Sequence, residues 1–216
     1  MDGKISMLNV NKIFQTSILK TLYFNIKSFG IIGGVSLPVL VSKNVKLKNI
    51  KGKIEILCDK KPGLVSIGYG TSSKKFIWEN NGVIIFHGKA NIAAGCKISN
   101  NGILSFGKSF AMHINSDIVC YESIEFGNNC LVSWECLFMD TDFHKIMKDG
   151  KCINGNKCII VGDNVWFGCK CLILKGTEIS DNIVVAAGNT LTKKYLKSHT
   201  IISGNGVLKE NIDWIY

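Results

Sequence analysis

The chain has 216 residues, of which 46% are hydrophobic, 22 are glycine and only 2 are proline. This length supports one well-packed domain, and the composition favours a turn-rich β protein over a helical bundle. The net charge of +10 attracts anions such as nucleotides and phosphates. The lysines are scattered in ones and twos, however, which argues against a nucleic-acid-binding protein, since those concentrate basic residues in one stripe.

The nine cysteines are an odd number, and the sequence after Met1 does not resemble a signal peptide. We therefore expect reduced thiols and a cytoplasmic protein. Cys169 and Cys171 have no partner pair at zinc-ligand spacing, so we expect no metal site. The most apolar early stretch, residues 29–41, contains Pro38 and is shorter than the roughly 20 residues of a transmembrane helix.

Residues 17–28 predict a short amphipathic helix, because their apolar side chains recur at helical spacing. We expect this helix to cap the exposed edge of the first coil of a solenoid. Contact with the inner face of a membrane is the alternative. The apolar residues are Ile18, Leu19, Leu22, Tyr23 and Ile26.

Apolar residues recur every six positions through about half of the chain. A period of six cannot form one helical face, but in strands it directs positions i and i+4 of each repeat to the same side. We therefore predict an all-β solenoid with small residues in the i+4 slots. The clearest run is Val161, Phe167, Ile173, Ile179, Val185 and Leu191, and shorter runs begin at Phe86 and Phe126. The small inward residues include Cys96, Cys130, Cys136 and Cys171.

The segment 139–146 reads MDTDFHKI and lies where the run from Phe126 ends. An imidazole such as that of His144 is neutral in part at pH 7 and can take a proton from an alcohol. Asp140 or Asp142 could fix its tautomer. Residues 147–157 break the repeat with Gly, Asn and Lys and predict a projecting loop. These features alone leave a surface histidine as an equal alternative.

The string DTDFH, followed by VGDNVWFGCKCLILKGTEISDNIVVAAGNTLTK at 161–193, resembles the hexapeptide-repeat acetyltransferases. Residues 20–56 and 201–215 resemble more closely the branch that O-acetylates capsule and O-antigen (lipopolysaccharide) chains. The resemblance implies a left-handed parallel β-helix and a homotrimer with active sites between neighbouring chains. It also implies transfer of an acetyl group from acetyl-CoA to a hydroxyl of a cell-surface glycan or its sugar precursor. We divide the chain into a cap with the first strands (1–60), a β-helix acyltransferase domain (61–205) and a tail (206–216).

The resemblance assigns the catalytic position to His144, with Asp140 and Asp142 as supporting residues. Trp166 matches the tryptophan that borders the acetyl-CoA site, and Lys193 suits a phosphate. The positions that match the donor site are Trp166, Gly168, Cys169, Ala187, Thr192, Lys193 and Lys209.

Two departures from the family pattern stand out. Lys145 occupies the place where the family often has proline after the catalytic histidine. The usual glycine-asparagine-proline-alanine-lysine string near the end is replaced by GNGVL at 204–208, which displaces the basic residue to Lys209.

Three alternatives remain at the level of sequence. The acceptor could be the amine of an amino sugar instead of a hydroxyl. Cys169 could act as a nucleophile, although it looks like part of the repeat. A non-catalytic or metal-dependent β-helix is the third alternative, and zinc-dependent hydration would need three of the four histidines around one metal. If His144 is not the base, His113 is the next candidate.

Overall fold

The computed structural model describes residues 12–215. Within this range most strands belong to three parallel sheets, and successive strands along the chain join sheet I, sheet II and sheet III in rotation. Each circuit is therefore one coil of a parallel β-helix with three flat sides. The predicted solenoid is confirmed.

Sheet I contains β1 (Val39–Val41), β4 (Val65–Tyr69), β7 (Ala90–Ala93), β10 (Phe110–Met112), β13 (Leu131–Val132), β18 (Trp166–Phe167), β21 (Ile183–Val185), β24 (Thr200–Ser203) and β25 (Gly206–Glu210). Sheet II contains β2 (Val45–Ile50), β5 (Phe76–Asn80), β8 (Lys97–Asn100), β11 (Asp117–Cys120), β14 (Leu137–Met139), β19 (Leu172–Leu174) and β22 (Thr190–Leu191). Sheet III contains β3 (Lys53–Ile56), β6 (Val83–Phe86), β9 (Ile103–Phe106), β12 (Ser123–Phe126), β17 (Ile159–Val161), β20 (Glu178–Ile179) and β23 (Lys194–Tyr195). The final strand, β25, pairs antiparallel with β24.

The six-residue repeat forms the core, as predicted. Aromatic rings from consecutive coils stack along it: the Phe106 ring centroid lies 5.2 Å from that of Phe86 and 5.8 Å from that of Phe126. The repeat residues from Val161 to Leu191 are at most 3% exposed. The four cysteines predicted to occupy small inward slots are also buried: Cys96, Cys130, Cys136 and Cys171.

The corners of the coils explain the richness in glycine and asparagine. At the corner between sheets II and III, a Cβ on Gly82 would lie 2.1 Å from the carbonyl oxygen of Gly102 in the next coil, so only glycine fits. At the corner between sheets III and I, Asn129, Asn164 and Asn182 adopt positive φ. Asparagine tolerates this conformation better than most side chains.

A helix covers the first coil. Helix α1 (Ile18–Gly34) begins after the N-cap Ser17, has a kink at Gly30 and contacts β1, β2 and β3. The helix predicted at 17–28 is thus confirmed and continues for one and a half turns more. No helix in the described part of the chain is long and apolar enough to cross a membrane.

Candidate active site

The coil between β14 and β17 is interrupted by an excursion at the corner between sheets II and III. Residues 142–158 are exposed apart from the half-buried Asn154, and they contain a small antiparallel hairpin of β15 (Met147–Lys148) and β16 (Lys151–Cys152). The projecting loop predicted after His144 is therefore confirmed. We call residues 141–158 the histidine loop.

Asp140 anchors the start of the histidine loop. Its side chain is completely buried, and its two carboxylate oxygens accept hydrogen bonds from the backbone N–H groups of Tyr121 (2.7 Å) and Glu122 (2.8 Å). Asp140 follows a column of inward side chains at this corner, formed by Asn80, Asn100 and Cys120 in the preceding coils. A carboxylate with two amide donors holds the backbone turn that directs the loop outward.

Asn154 ties the two ends of the histidine loop together. Its amide nitrogen donates to the Asp142 carboxylate and to the carbonyl oxygen of His144, both at 2.8 Å. Its amide oxygen accepts from the backbone N–H of Ile146 at 2.6 Å. One side chain, two residues after β16, therefore holds the backbone of His144 and Ile146 and the side chain of Asp142.

Lys175 completes this clamp from the next coil. Its ammonium group contacts the Asp142 carboxylate and donates to the carbonyl oxygen of Asn154 at 2.6 Å. The Lys175 ammonium and, second, the Asn154 amide lower the pKa of Asp142 below its ordinary value of 3.8. We call Asp142, Asn154 and Lys175 the loop clamp.

His144 itself is exposed at the corner. Phe143 before it has a φ of 61°, and its ring lies edge-on to that of Tyr121 at 5.1 Å. Within residues 12–215, no hydrogen bond joins the His144 imidazole to Asp140 or Asp142. The Asp140 carboxylate bonds the backbone of residues 121 and 122, and the Asp142 carboxylate bonds Asn154 and Lys175. The two aspartates therefore hold the loop in this structure, and their proposed effect on the His144 tautomer stays a prediction.

Trp166 lies on sheet I, in β18. Its side chain is 37% exposed, its indole N–H donates to the Ser133 hydroxyl at 3.0 Å, and its ring centroid is 6.0 Å from that of Trp214. The Trp214 N–H donates to the carbonyl oxygen of Asn164 at 2.7 Å. The C-terminal segment therefore packs beside the predicted donor residue, a contact that the repeat pattern does not reveal.

The other predicted donor residues divide between two edges of the β-helix. Gly168, Cys169 and Ala187 lie near Trp166, at the corner between sheets I and II. A Cβ on Gly168 would lie 2.6 Å from the backbone nitrogen of Ala187, so the coils approach closely there. Lys209 is exposed on β25 of sheet I, opposite Ile201 of β24.

Thr192 and Lys193 lie instead at the corner between sheets II and III, on the edge that carries the histidine loop. A cavity of ≈ 600 Å³ opens here. This volume is within the range of about 300 to 1,000 Å³ that is typical of small-molecule sites. Thr192 lines the cavity together with three lysines, Lys157, Lys175 and Lys194. Glu122 and Glu178 also line the cavity and offset two of the three lysine charges, so the lining keeps a net charge of +1, which favours an anion such as a phosphate group.

A second cavity of ≈ 470 Å³ lies beside sheet I and is lined by Tyr69, Asn91 and His113, among others. Burial lowers the pKa of His113 and so favours the neutral ring. The His113 ring centroid is 5.5 Å from that of Trp134. Among residues 12–215, no three His, Cys, Asp or Glu side chains gather into a metal-ligand set.

Sequence reasoning missed Asn154 and Lys175. Asn154 lies in a stretch that reads only as a polar loop, and Lys175 lies in a repeat turn, so neither carries a signal apart from its residue type. The sequence predicted a donor site between neighbouring chains, and within a single chain the predicted donor residues occupy two edges. One chain therefore does not bring His144 and Trp166 together.

No family model matches the chain. An uncharacterised 24.8 kDa protein in the cps region of Klebsiella pneumoniae is 30% identical over 193 residues, which cover 82% of this chain and 81% of that protein. Galactoside O-acetyltransferase of Escherichia coli is 30% identical over 93 residues, which cover 42% of this chain and 45% of that enzyme. The solved structure of the polySia-specific acetyltransferase NeuO has the same fold, with a TM-score of 0.61 at 19% identity, covering 83% of this chain and 79% of that chain.

The β-helix, the six-residue repeat and these relatives together define the class. The chain belongs to the hexapeptide-repeat acetyltransferases, and its fold is the left-handed parallel β-helix of that family.

Proposed function

We propose that the chain is an O-acetyltransferase that moves an acetyl group from acetyl-CoA to a hydroxyl of a cell-surface glycan or its sugar precursor. The observation that carries the proposal is the histidine loop, which presents the exposed His144 on a clamped backbone in a member of an acetyltransferase family. A base must be held within hydrogen-bond reach of the proton that it removes, and a clamped loop supports that requirement.

The chemistry is a direct transfer. The His144 imidazole removes the proton of the acceptor hydroxyl while the oxygen attacks the thioester carbon. The tetrahedral intermediate then collapses, the bond from carbon to sulfur breaks, and the imidazolium returns its proton to the departing CoA sulfur. The products are the O-acetyl ester and CoA. No acyl-enzyme forms, so Cys169 is not required as a nucleophile.

The donor is proposed to lie between two chains of a homotrimer. Trp166, Gly168, Cys169 and Ala187 occupy sheet I and its corner with sheet II, whereas His144 occupies the edge between sheets II and III. These two edges meet if one protomer places its histidine loop against sheet I of its neighbour. Sedimentation that shows a stable, fully active monomer would remove this shared-site arrangement.

In this arrangement Trp166 lines the groove at the thioester end of acetyl-CoA, where an indole packs on an apolar surface. Thr192 and Lys193 lie at the nucleotide end, beside the lysine-lined cavity. Lys209 is the basic residue available in the C-terminal segment. The proposal requires no metal.

Two relatives support a polysaccharide acceptor. The protein of Klebsiella pneumoniae belongs to a cps region, and NeuO is described as specific for polySia. We propose that the chain acts in the cytoplasm, in contact with the inner face of the membrane, on a capsule or lipopolysaccharide chain or its precursor. The cavity beside His113 and Asn91 has the polar lining that a hydroxyl-rich acceptor needs.

The deciding experiment incubates the protein with labelled acetyl-CoA and a panel of sugars, polysaccharides and amino sugars. We expect label in a product that mild alkali releases, because an O-acetyl ester is labile and an amide is not. Alkali-stable label on amino sugars would identify an N-acetyltransferase instead. Label in the protein itself would indicate an acyl-enzyme.

A further inference from the structure

Helix α1 caps the β-helix with a polar face. Asn25 is completely buried, and its amide donates to the carbonyl oxygen of Val39 at 2.7 Å and accepts from the N–H of Val39 at 3.1 Å. The Thr21 hydroxyl accepts from the N–H of Val41 at 3.0 Å. These bonds satisfy the backbone groups of the edge strand β1, which otherwise has no neighbour on this side.

The apolar face of α1 consequently points away from the protein. The helix covers the first coil, as the sequence predicted, but most of its apolar side chains do not face the core. Phe24 enters the core and packs edge-on against Trp78 at 5.2 Å, and the partly buried Phe29 packs against the core. Leu19 is 81% exposed and Ile32 is 92% exposed. The exposed apolar residues of α1 are Ile18, Leu19, Leu22, Tyr23 and Ile26 before the kink at Gly30, and Ile31 and Ile32 after it.

Such a patch is unusual on a protein surface. Large contiguous apolar patches on monomeric proteins mark binding sites for other proteins or for membranes, because leaving them in water is costly. Ile13 and Phe14, just before α1, are also exposed and extend the apolar character of this end of the molecule.

The same end carries most of the positive charge. Residues 17–61 contain nine lysines and two acidic residues, a net charge of +7 out of +10 for the chain. Lys27 is exposed on α1, and the Lys60 ammonium lies 4.8 Å above the Phe29 ring. Lys61 is exposed beside it. The apolar patch is therefore bordered by cations.

We propose that the outward face of α1 binds the surface of an anionic lipid bilayer as an interfacial helix, with its apolar residues in the acyl boundary and the lysines at the headgroups. A helix that is apolar on one face, bordered by lysines and too short to span is the type that lies in the plane of a bilayer. Anionic headgroups complement the +7 charge, whereas a second copy of this end would bring like charges together.

The position of α1 allows membrane binding and catalysis at the same time. The helix covers the first coil, so its outward face looks along the axis of the β-helix, away from the sides that carry His144 and Trp166. The simultaneous binding of three helices rests on the proposed function, which includes a homotrimer. In a parallel trimer the three copies of α1 lie at one end and contact one membrane surface together.

The test is co-sedimentation of the full chain with vesicles of phosphatidylcholine alone or mixed with phosphatidylglycerol. We expect binding to the mixed vesicles that weakens as salt is raised, because surface electrostatics are screened. Leu19→Glu/Ile32→Glu should lower the affinity at least tenfold. Lys27→Gln/Lys60→Gln/Lys61→Gln should lower it by about fivefold for each lysine removed and reduce the salt dependence.

Leu196→Glu is the matched control, because Leu196 is 60% exposed at the other end of the β-helix. It should bind vesicles as the natural chain does. The proposal is overturned if the natural chain does not bind the mixed vesicles at low salt, or if the control loses binding equally. It is also overturned if Leu19→Glu/Ile32→Glu changes the sedimentation coefficient of the lipid-free protein, since the patch is then an interface between copies. Acetyl transfer to a soluble acceptor should be unchanged in every variant, which separates this proposal from the proposed activity.

Discussion

The side-chain amide of Asn154 donates a 2.8 Å hydrogen bond to the backbone carbonyl of His144, ten residues earlier in the chain. The same amide group bonds the Asp142 carboxylate and the N–H of Ile146. A loop of exposed residues would otherwise sample many conformations. Holding the loop at residues 142, 144 and 146 reduces the conformational entropy that is lost when the reacting groups align.

Replacing His144 by Ala should lower kcat by about 100- to 10,000-fold, the usual contribution of a general base, with little change in the Kd of acetyl-CoA. Steady-state kinetics with saturating acetyl-CoA and calorimetric titration measure the two quantities. His199→Ala is the control, because His199 is exposed and pairs with Asp213 at 2.9 Å, at a distance in sequence from the loop. A kcat within a few-fold of the natural chain would move the base role to His113.

Replacing Asn154 by Ala should lower kcat by about 10- to 100-fold, because displacing a catalytic group by about 1 Å can cost 100-fold. The Tm and the Kd of acetyl-CoA should stay close to their natural values, since the loop is exposed. Lys151→Ala, an exposed residue of the same hairpin, should be neutral. If Asn154→Ala keeps full activity, the clamp does not position His144 for catalysis.

The clamp should open in acid. The pKa of Asp142 in the folded protein is lowered below 3.8. The stabilisation that its carboxylate gives to the loop clamp is therefore complete above pH 3.8 and is lost as pH falls through the folded pKa. The hydrogen-exchange protection factors of residues 142–158, which are corrected for the intrinsic pH dependence of amide exchange, should fall there. In Lys175→Met the exchange should already be faster at neutral pH and should depend less on acid. An exchange rate that is identical in both proteins would argue against the ion pair as the constraint.

Replacing Trp166 by Ala should raise the Kd of acetyl-CoA by on the order of tenfold, because a half-exposed indole offers a large apolar surface to the bound arm. Titration calorimetry measures this directly. Tyr23→Ala removes an exposed aromatic side chain of helix α1, 57% accessible, and should leave donor affinity unchanged. Equal losses in both variants would show that the Trp166 indole does not contact the donor specifically.

Replacing Cys169 by Ser should leave kcat within about threefold, since direct transfer uses no thiol nucleophile. Mass spectrometry after rapid quenching should find no acetyl group on this residue. The buried Cys96 and Cys130 cannot substitute for it, because burial raises the pKa of each thiol to about 12. Loss of activity comparable to that of His144→Ala, together with an acetylated Cys169, would establish the acyl-enzyme route.

The β-helix could be predicted from the sequence, because the period of six is a local property. Each six-residue repeat shows which side chains point inward, and the same pattern recurs in every coil. The sequence also identified His144 as a candidate general base and predicted the loop that follows it, because the six-residue repeat is interrupted there. The helix at 17–28 was likewise predicted from the helical spacing of its apolar residues.

The contacts of the histidine loop and of α1 could be seen only in the three-dimensional structure. Asp142, Asn154 and Lys175 meet because an excursion returns to its own corner and the next coil passes above it, a closure that no local pattern encodes. The orientation of α1 depends likewise on the open edge of β1, whose unpaired backbone groups need polar partners more than the core needs another apolar face. Hydrogen-bond satisfaction across distant segments overrode the amphipathic pattern, and for that physical reason the apolar face of the helix lies outside.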